Sequence, residues 1–262
     1  MSCQGGWRNI MSVDKELSSE VLLQQEFNRW ADNGEGEKME GHHLDITEKT
    51  IRRMDLHSDD HILDLGCGSG WATRLLARRA GKGPQNSSEV VGVDISDQMI
   101  RQARVSSKEF DNVTFVVGSA SQIPSEENFF DKVLSVESFY YYPDQDQALD
   151  ELFRVMAPQG RLFILINLYK DNPYSLQWVP KLKVPVHIRS AAEYVSLLTK
   201  HGFENADYAL VPDDTPTPDN YQTTSFHSLD DLKAFKRIGA LLLMATKPFR
   251  IPSQLDNARR IC

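Results

Sequence analysis

The chain has 262 residues, 40% of them hydrophobic and 25% charged, and its 29 basic and 37 acidic side chains give a formal charge of −8. This is the composition of a globular protein large enough to bury a core without disulfides or metals. The acidic balance argues against a polyanion-binding surface, and Arg52-Arg53 and Arg78-Arg79 are pairs too short to make a local one, so no nucleic-acid partner is expected. Cys3, Cys67 and Cys262 are far apart and form no CxxC pair, which leaves neither a disulfide framework nor a zinc site, and no metal is expected. No apolar segment follows the first basic residue, and no apolar run approaches membrane-spanning length. The expectation is a cytoplasmic protein without membrane contact, acting as a monomer or homodimer.

In chain order, residues 20–31 and 46–55 have helical patterns and are joined by the glycine-bearing loop Asn33-Gly34-Glu35-Gly36. They are expected to form an N-terminal helical lid spanning residues 1–56. From His61 onward, short apolar runs alternate with helical patterns. The runs are Ile62-Leu63-Asp64-Leu65, Val90-Val91-Gly92-Val93, Val113-Thr114-Phe115-Val116-Val117, Val133-Leu134-Ser135-Val136 and Leu162-Phe163-Ile164-Leu165-Ile166. Being β-branched and almost continuously apolar, they read as parallel strands buried on both faces. Between them, Ser96 is placed to cap a helix, and the apolar residues after Asp144 recur at helical spacing until Pro158 and Gly160. Ser190 and Glu193 have the spacing of a capping box, with Gly202 at the far end. Residues 211–218 read as a proline- and aspartate-rich loop, residues 239–246 as a last strand, and residues 248–262 as a polar tail. Strand–helix alternation over residues 57–247 predicts an α/β domain with a doubly wound sheet and helices on both faces.

The sharpest motif is Leu63-Asp64-Leu65-Gly66-Cys67-Gly68-Ser69-Gly70, a strand running into a glycine turn and then a helix. Gly66 and Gly68 allow close approach of the backbone to a ligand, and the helix beginning near Gly70 offers free N–H groups and a positive dipole end. A dinucleotide fingerprint, G-x-G-x-x-G, would place its third glycine where Trp71 stands, which argues against a pyrophosphate along the turn. Asp64 suits a ligand bearing an ammonium group. Asp94, ending the next strand, suits both hydroxyls of a ribose, with Ile95 against a purine face and Ser119-Ala120 at the purine edge.

These motifs together resemble the Rossmann-like S-adenosylmethionine-dependent methyltransferases, in particular the small-molecule group of ubiquinone/menaquinone-biosynthesis and natural-product enzymes. The resemblance runs over residues 61–168 and more weakly to 245. It implies a mostly parallel seven-stranded sheet whose last strand is antiparallel. It also implies S-adenosylmethionine as cofactor, released as S-adenosylhomocysteine, with Asp64, Gly66, Cys67, Gly68 and Gly70 around the methionine part. Asp94 and Ile95 would hold the ribose and purine, and Ser119 and Ala120 the adenine edge. The chain departs from the pattern at Ser119, where the family often has an aspartate for the adenine amino group.

After the fourth strand comes Glu137-Ser138-Phe139-Tyr140-Tyr141-Tyr142-Pro143-Asp144. Some relatives carry two histidines where Tyr140 and Tyr141 stand, one of them the base. A tyrosine hydroxyl, with its pKa near 10, is a poor base, so Tyr140 and Tyr141 are expected to shape and polarise the acceptor pocket, or else simply to pack at the strand end. Glu137 is expected at the cofactor or a cationic acceptor, or else simply to cap the next turn. Trp30, Met39 and His43 are candidate lid residues, with His43 a candidate base, or else His43 is an exposed loop residue and Trp30 packs in a helix core. The aromatic stretch bearing Trp178 and His187 is expected to form the acceptor's wall or an oligomer contact. Methyl transfer to a small, partly hydrophobic metabolite is thus the leading reading. The alternatives are a non-catalytic cofactor-binding subunit and, less favoured by the glycine spacing, a NAD-dependent enzyme.

Overall fold

The computed structural model describes residues 18–81 and 87–249. Two helices, α1 (Ser19–Asp32) and α2 (Glu35–Met54), precede β1 (His61–Leu65), α3 (Trp71–Ala80), β2 (Glu89–Asp94), α4 (Asp97–Ser106) and β3 (Val113–Val117). The chain continues through β4 (Phe130–Val136), α5 (Gln145–Val155), β5 (Met156–Ile166), α6 (Ala191–Lys200), β6 (Glu204–Val211), α7 (Leu229–Ile238) and β7 (Ala240–Thr246). The strands form a single seven-stranded sheet in the order β3-β2-β1-β4-β5-β7-β6. The β1–β2, β2–β3, β1–β4 and β4–β5 pairs are parallel, and β7 runs antiparallel to both its neighbours. Strand order therefore reverses between β1 and β4, which opens a crevice at their carboxyl ends.

Alternation along the strands feeds two cores. On one face Leu63, Leu65, Val133, Ile164 and Ile166 pack with Leu149 and Leu152 of α5 and Tyr194 of α6. On the other, Ile62, Leu134, Phe163 and Leu165 pack with Trp71 and Leu76 of α3 and with Ile46, Ile51 and Met54 of α2. The far half of α2 is thus built into the domain core, so residue 56 is no packing boundary.

Helix starts follow local chemistry. Ser96 accepts from Met99 N at 3.0 Å, Asp144 from Gln147 N at 2.9 Å, and Ser190 and Glu193 close their capping box at 3.2 and 2.7 Å.

Three features differ from the sequence reading. The N-terminal loop ends early: Gly34 turns the chain at φ +68° and α2 begins at Glu35, so Met39, His42 and His43 are helical. Gly36 permits this start, because a Cβ there would lie 2.9 Å from Met99 Sδ. Strand β6 lies where no strand was expected. It is an edge strand, its Tyr208 and Leu210 exposed and Val211 buried, so it lacks the apolar run that marks a covered strand. Helix α7 likewise lies where no element is expected; Ser228 caps it and Phe235 anchors it. Lys247, at the edge of the expected tail, is buried, and its Nζ donates to Asn128 Oδ1 at 2.7 Å and Met156 O at 2.8 Å. Residues 250–262, most of that tail, and 82–86 lie outside the described residues, as do Cys3 and Cys262.

Candidate active site

A cavity of about 990 Å³, mouth included, occupies the crevice at the carboxyl ends of β1, β2 and β4. Its floor is the glycine turn. Gly66 N and Cys67 N both donate to Val93 O, at 2.8 and 3.1 Å, which folds the turn back onto β2. Gly66, Gly68 and Gly70 have φ of +78°, +53° and +78°, but they serve different ends. A Cβ on Gly66 would lie 2.5 Å from Ser138, and one on Gly70 would lie 2.7 Å from the Phe115 ring. A Cβ on Gly68 would meet nothing within 4 Å, and Gly68 lines the cavity. Packing therefore demands two of the glycines, and the middle one faces open space.

Asp94 sits beside Gly68. Its Oδ2 accepts from Gly68 N at 2.9 Å and its Oδ1 from Ser96 N at 2.8 Å. Burial raises its carboxyl above the usual range, opposed by those two N–H groups. Asp64 lies beneath the floor and does not line the cavity. It is buried, accepts from Thr73 Oγ1 at 2.6 Å, and burial pushes it up to about 7. Burial also raises the Cys67 thiol well above its ordinary value, which leaves it a poor nucleophile.

The opposite wall begins where β4 ends. Glu137 holds φ +54°, an uncommon conformation for a residue with a side chain. It is buried and meets two donors: Tyr140 Oη at 3.0 Å on Oε2 and Asn167 N at 2.6 Å on Oε1. Burial, partly offset by those donors, pushes it up to about 7. Asn167 Nδ2 lies 3.2 Å from His43 Nδ1. The amide nitrogen donates, so Nδ1 accepts and the ring proton belongs on Nε2. Burial first, then the neighbouring His42, push His43 down to about 3, so it is neutral and a weak base. Burial, with the charge of Glu137 adding to it, raises the Tyr140 and Tyr141 hydroxyls, which hold their protons as donors. At this end Glu137 is the carboxyl that burial pushes up to about 7.

The roof is α1 with the start of α2. Gln24 Nε2 donates to Ile95 O at 2.9 Å, and Asn28 Nδ2 to Asp97 Oδ1 at 2.9 Å. Ser69 Oγ holds Gly36 O at 3.0 Å. Phe27 meets the rings of Trp30 and Tyr141 edge-on at 5.3 and 5.1 Å.

Of the residues singled out from sequence, one cavity gathers Trp30, Met39, His43, Gly66, Cys67, Gly68, Asp94, Ile95, Ser119, Ala120, Glu137, Tyr140 and Tyr141. Asp64 and Gly70 support it from below. Trp178 and His187 lie outside it. Trp178 packs on Phe226 and Phe235, at 5.6 and 5.1 Å between ring centroids, in place of facing an acceptor. His187 is exposed, and its backbone N donates to Tyr140 O at 2.8 Å, holding that tyrosine from behind. Sequence reasoning missed Glu20, Leu23 and Ser138, which also line the cavity, and Asn167, which holds Glu137. Asn167 had a signal, a polar residue at the carboxyl end of a buried strand. Among the described residues no set of three or more His, Cys, Asp and Glu side chains converges as metal ligands would, and no helix is long and apolar enough to cross a membrane.

A crevice at the strand-order reversal, floored by a glycine turn and flanked by a strand-terminal aspartate, defines a Rossmann-like nucleotide-binding enzyme domain. Residues 56–207 match the model of the methyltransferase domain family, and the chain belongs to that family, the S-adenosylmethionine-dependent methyltransferases. A demethylmenaquinone methyltransferase of Lactiplantibacillus plantarum is 32% identical over 173 residues, 62% of this chain and 71% of that protein. Methyltransferase GfsG of Streptomyces halstedii is 34% identical over 122 residues, 45% of this chain and 42% of that protein, so the match spans less than half of GfsG. Among solved structures, a chain in complex with the Haloferax volcanii Trm112 methyltransferase activator superposes with a TM-score of 0.77 at 28% identity, over 85% of this chain and 98% of that one.

Proposed function

We propose that the chain binds S-adenosylmethionine in this cavity and methylates a small, partly hydrophobic acceptor. The observation carrying this reading is that a single cavity holds Gly68 and Asp94 at one side and the Glu137–Tyr140 pair at the other, under an aromatic roof. The residues suit the cofactor. Each Asp94 oxygen has one backbone partner and keeps acceptor capacity for a ribose hydroxyl. Gly68 leaves room where a side chain would intrude. When bound, S-adenosylmethionine supplies an activated methyl group, transferred by in-line displacement, and leaves as S-adenosylhomocysteine.

The chain's own residues then have three tasks. The α1–α2 roof excludes water and holds the acceptor in line. Tyr140 and Tyr141 offer aromatic faces suited to a cation and a hydroxyl that donates. Glu137 takes the acceptor's proton, directly or as Tyr140 passes on its own while receiving the acceptor's, and its raised pKa suits that task near neutral pH.

Calorimetric titration with S-adenosylmethionine, S-adenosylhomocysteine and NAD tests the cofactor. Micromolar binding of the first two, lost in Asp94→Ala and absent for NAD, is expected; folded protein that binds neither sulfur ligand refutes the reading. Joint Tyr140→Phe and Tyr141→Phe substitution should lower turnover, and unchanged turnover would remove the tyrosines from the acceptor site. A second reading, a cofactor-binding subunit of a larger assembly, draws support from the likeness to the chain solved with an activator protein. Turnover of any acceptor by the isolated chain disposes of it.

A further inference from the structure

The purine edge of the cavity carries a carboxylate that does not come from the sheet. Where relatives often place an aspartate after the third strand, this chain has Ser119, whose hydroxyl is already committed. Its oxygen accepts from Ser121 N at 3.0 Å and its proton is donated to Glu20 Oε1. Glu20 belongs to the first turn of α1, 99 residues away in sequence, and lines the cavity together with Gly118, Ser119, Ala120 and Ser121. No donor other than Ser119 sits on this carboxylate among the described residues, so its second oxygen is available. Helix α1 is held over this edge by Gln24 on Ile95 O and by Asn28, which accepts from Ser96 Oγ at 2.6 Å.

We propose that Glu20 reads the exocyclic amino group of the cofactor's adenine, supplying from the roof helix the acceptor that Ser119 lacks. This inference rests on the S-adenosyl reading of the cavity and goes beyond it. Nucleobase recognition then belongs to the same helix that covers the acceptor, so a bound 6-aminopurine holds the roof down. A 6-keto purine would set its carbonyl oxygen against the carboxylate and be rejected.

Titrating S-adenosylhomocysteine and S-inosylhomocysteine into the wild type, Glu20→Gln and Glu20→Ala tests this, with circular dichroism to check that α1 and the fold persist. The wild type should favour the adenine ligand by roughly tenfold or more, and Glu20→Ala should weaken it roughly ten- to a hundredfold, the effect of losing a hydrogen bond to a charged group. Glu20→Gln, whose amide can turn its NH₂ to a keto oxygen, should narrow the preference. Ser119→Asp added to Glu20→Ala should restore it, whereas a merely structural role for Glu20 would leave the preference unmoved. Adenine-ligand binding with the same preference in wild type and Glu20→Ala overturns this inference alone. Failure of the wild type to bind either ligand overturns the cofactor reading and this inference with it.

Discussion

Replacing Glu137 by glutamine separates what this residue does for the fold from what it does for turnover. Its carboxyl stands near 7 in the folded chain against 4.5 for an ordinary glutamate, chiefly because burial disfavours the charge. The folded state therefore holds a proton between pH 4.5 and about 7 that the unfolded chain gives up. Stability falls as pH rises through that window, by a total of about 3 kcal/mol for a displacement of this size. Glutamine has no charge to bury, and its amide can still accept from Asn167 N and donate to the Tyr140 oxygen, so the variant should escape that loss. Urea denaturation at pH 5 and pH 8 should show a wild type less stable at the higher pH and a smaller fall in Glu137→Gln. Comparing the two proteins cancels Asp64, which acts in the same direction. Turnover should move the opposite way. A general base contributes roughly 10²–10⁴ in rate, so kcat in Glu137→Gln should fall by about that factor at pH 8. Wild-type kcat should rise about tenfold per pH unit below 7 and level off above it, the profile of one ionising base. A glutamine variant with wild-type kcat at pH 8, or one whose stability falls with pH as steeply as the wild type's, would refute the argument.

Gly66→Ala should destabilise the protein by about 2–4 kcal/mol, seen as a lowered Tm, since its Cβ would sit 2.5 Å from Ser138 at a φ of +78°. Gly68→Ala meets no atom and should cost less in Tm, yet weaken S-adenosylhomocysteine by tenfold or more in calorimetry because it intrudes on the cavity. Asn28→Ala removes the link of α1 to Asp97 and Ser96. Faster amide hydrogen exchange in α1 with no change in β1 or β4 is the expected result.

What could be read from the chain follows from where each residue's partners lie. The strands β1, β4 and β5 announce themselves because both faces are covered, so nearly every side chain is apolar; β6 is an edge with solvent on it and carries no such run. The glycine turn was legible as a turn, but the division of labour within it was not. Ser138 and Phe115, which decide that Gly66 and Gly70 serve packing, come from β4's end and from β3. Trp178 was illegible for the same reason: an aromatic in an irregular segment looks alike whether it faces a ligand or a helix, and the helix it packs against, α7, carries no run that marks it in the sequence. The acceptor end shows the limit most clearly. Under the proposed function Glu137 does the work of a base, and in the sequence it is visible only as a glutamate after a strand. Its pKa depends on Asn167, Tyr140 and the depth at which β4 and β5 bury them, and α2 brings His43 into the same network. A base made by burial, as proposed for Glu137, carries no motif of its own. It becomes recognisable when the strand ends and the roof helix are placed together, and the price, a carboxyl that destabilises the fold above neutrality, is itself measurable.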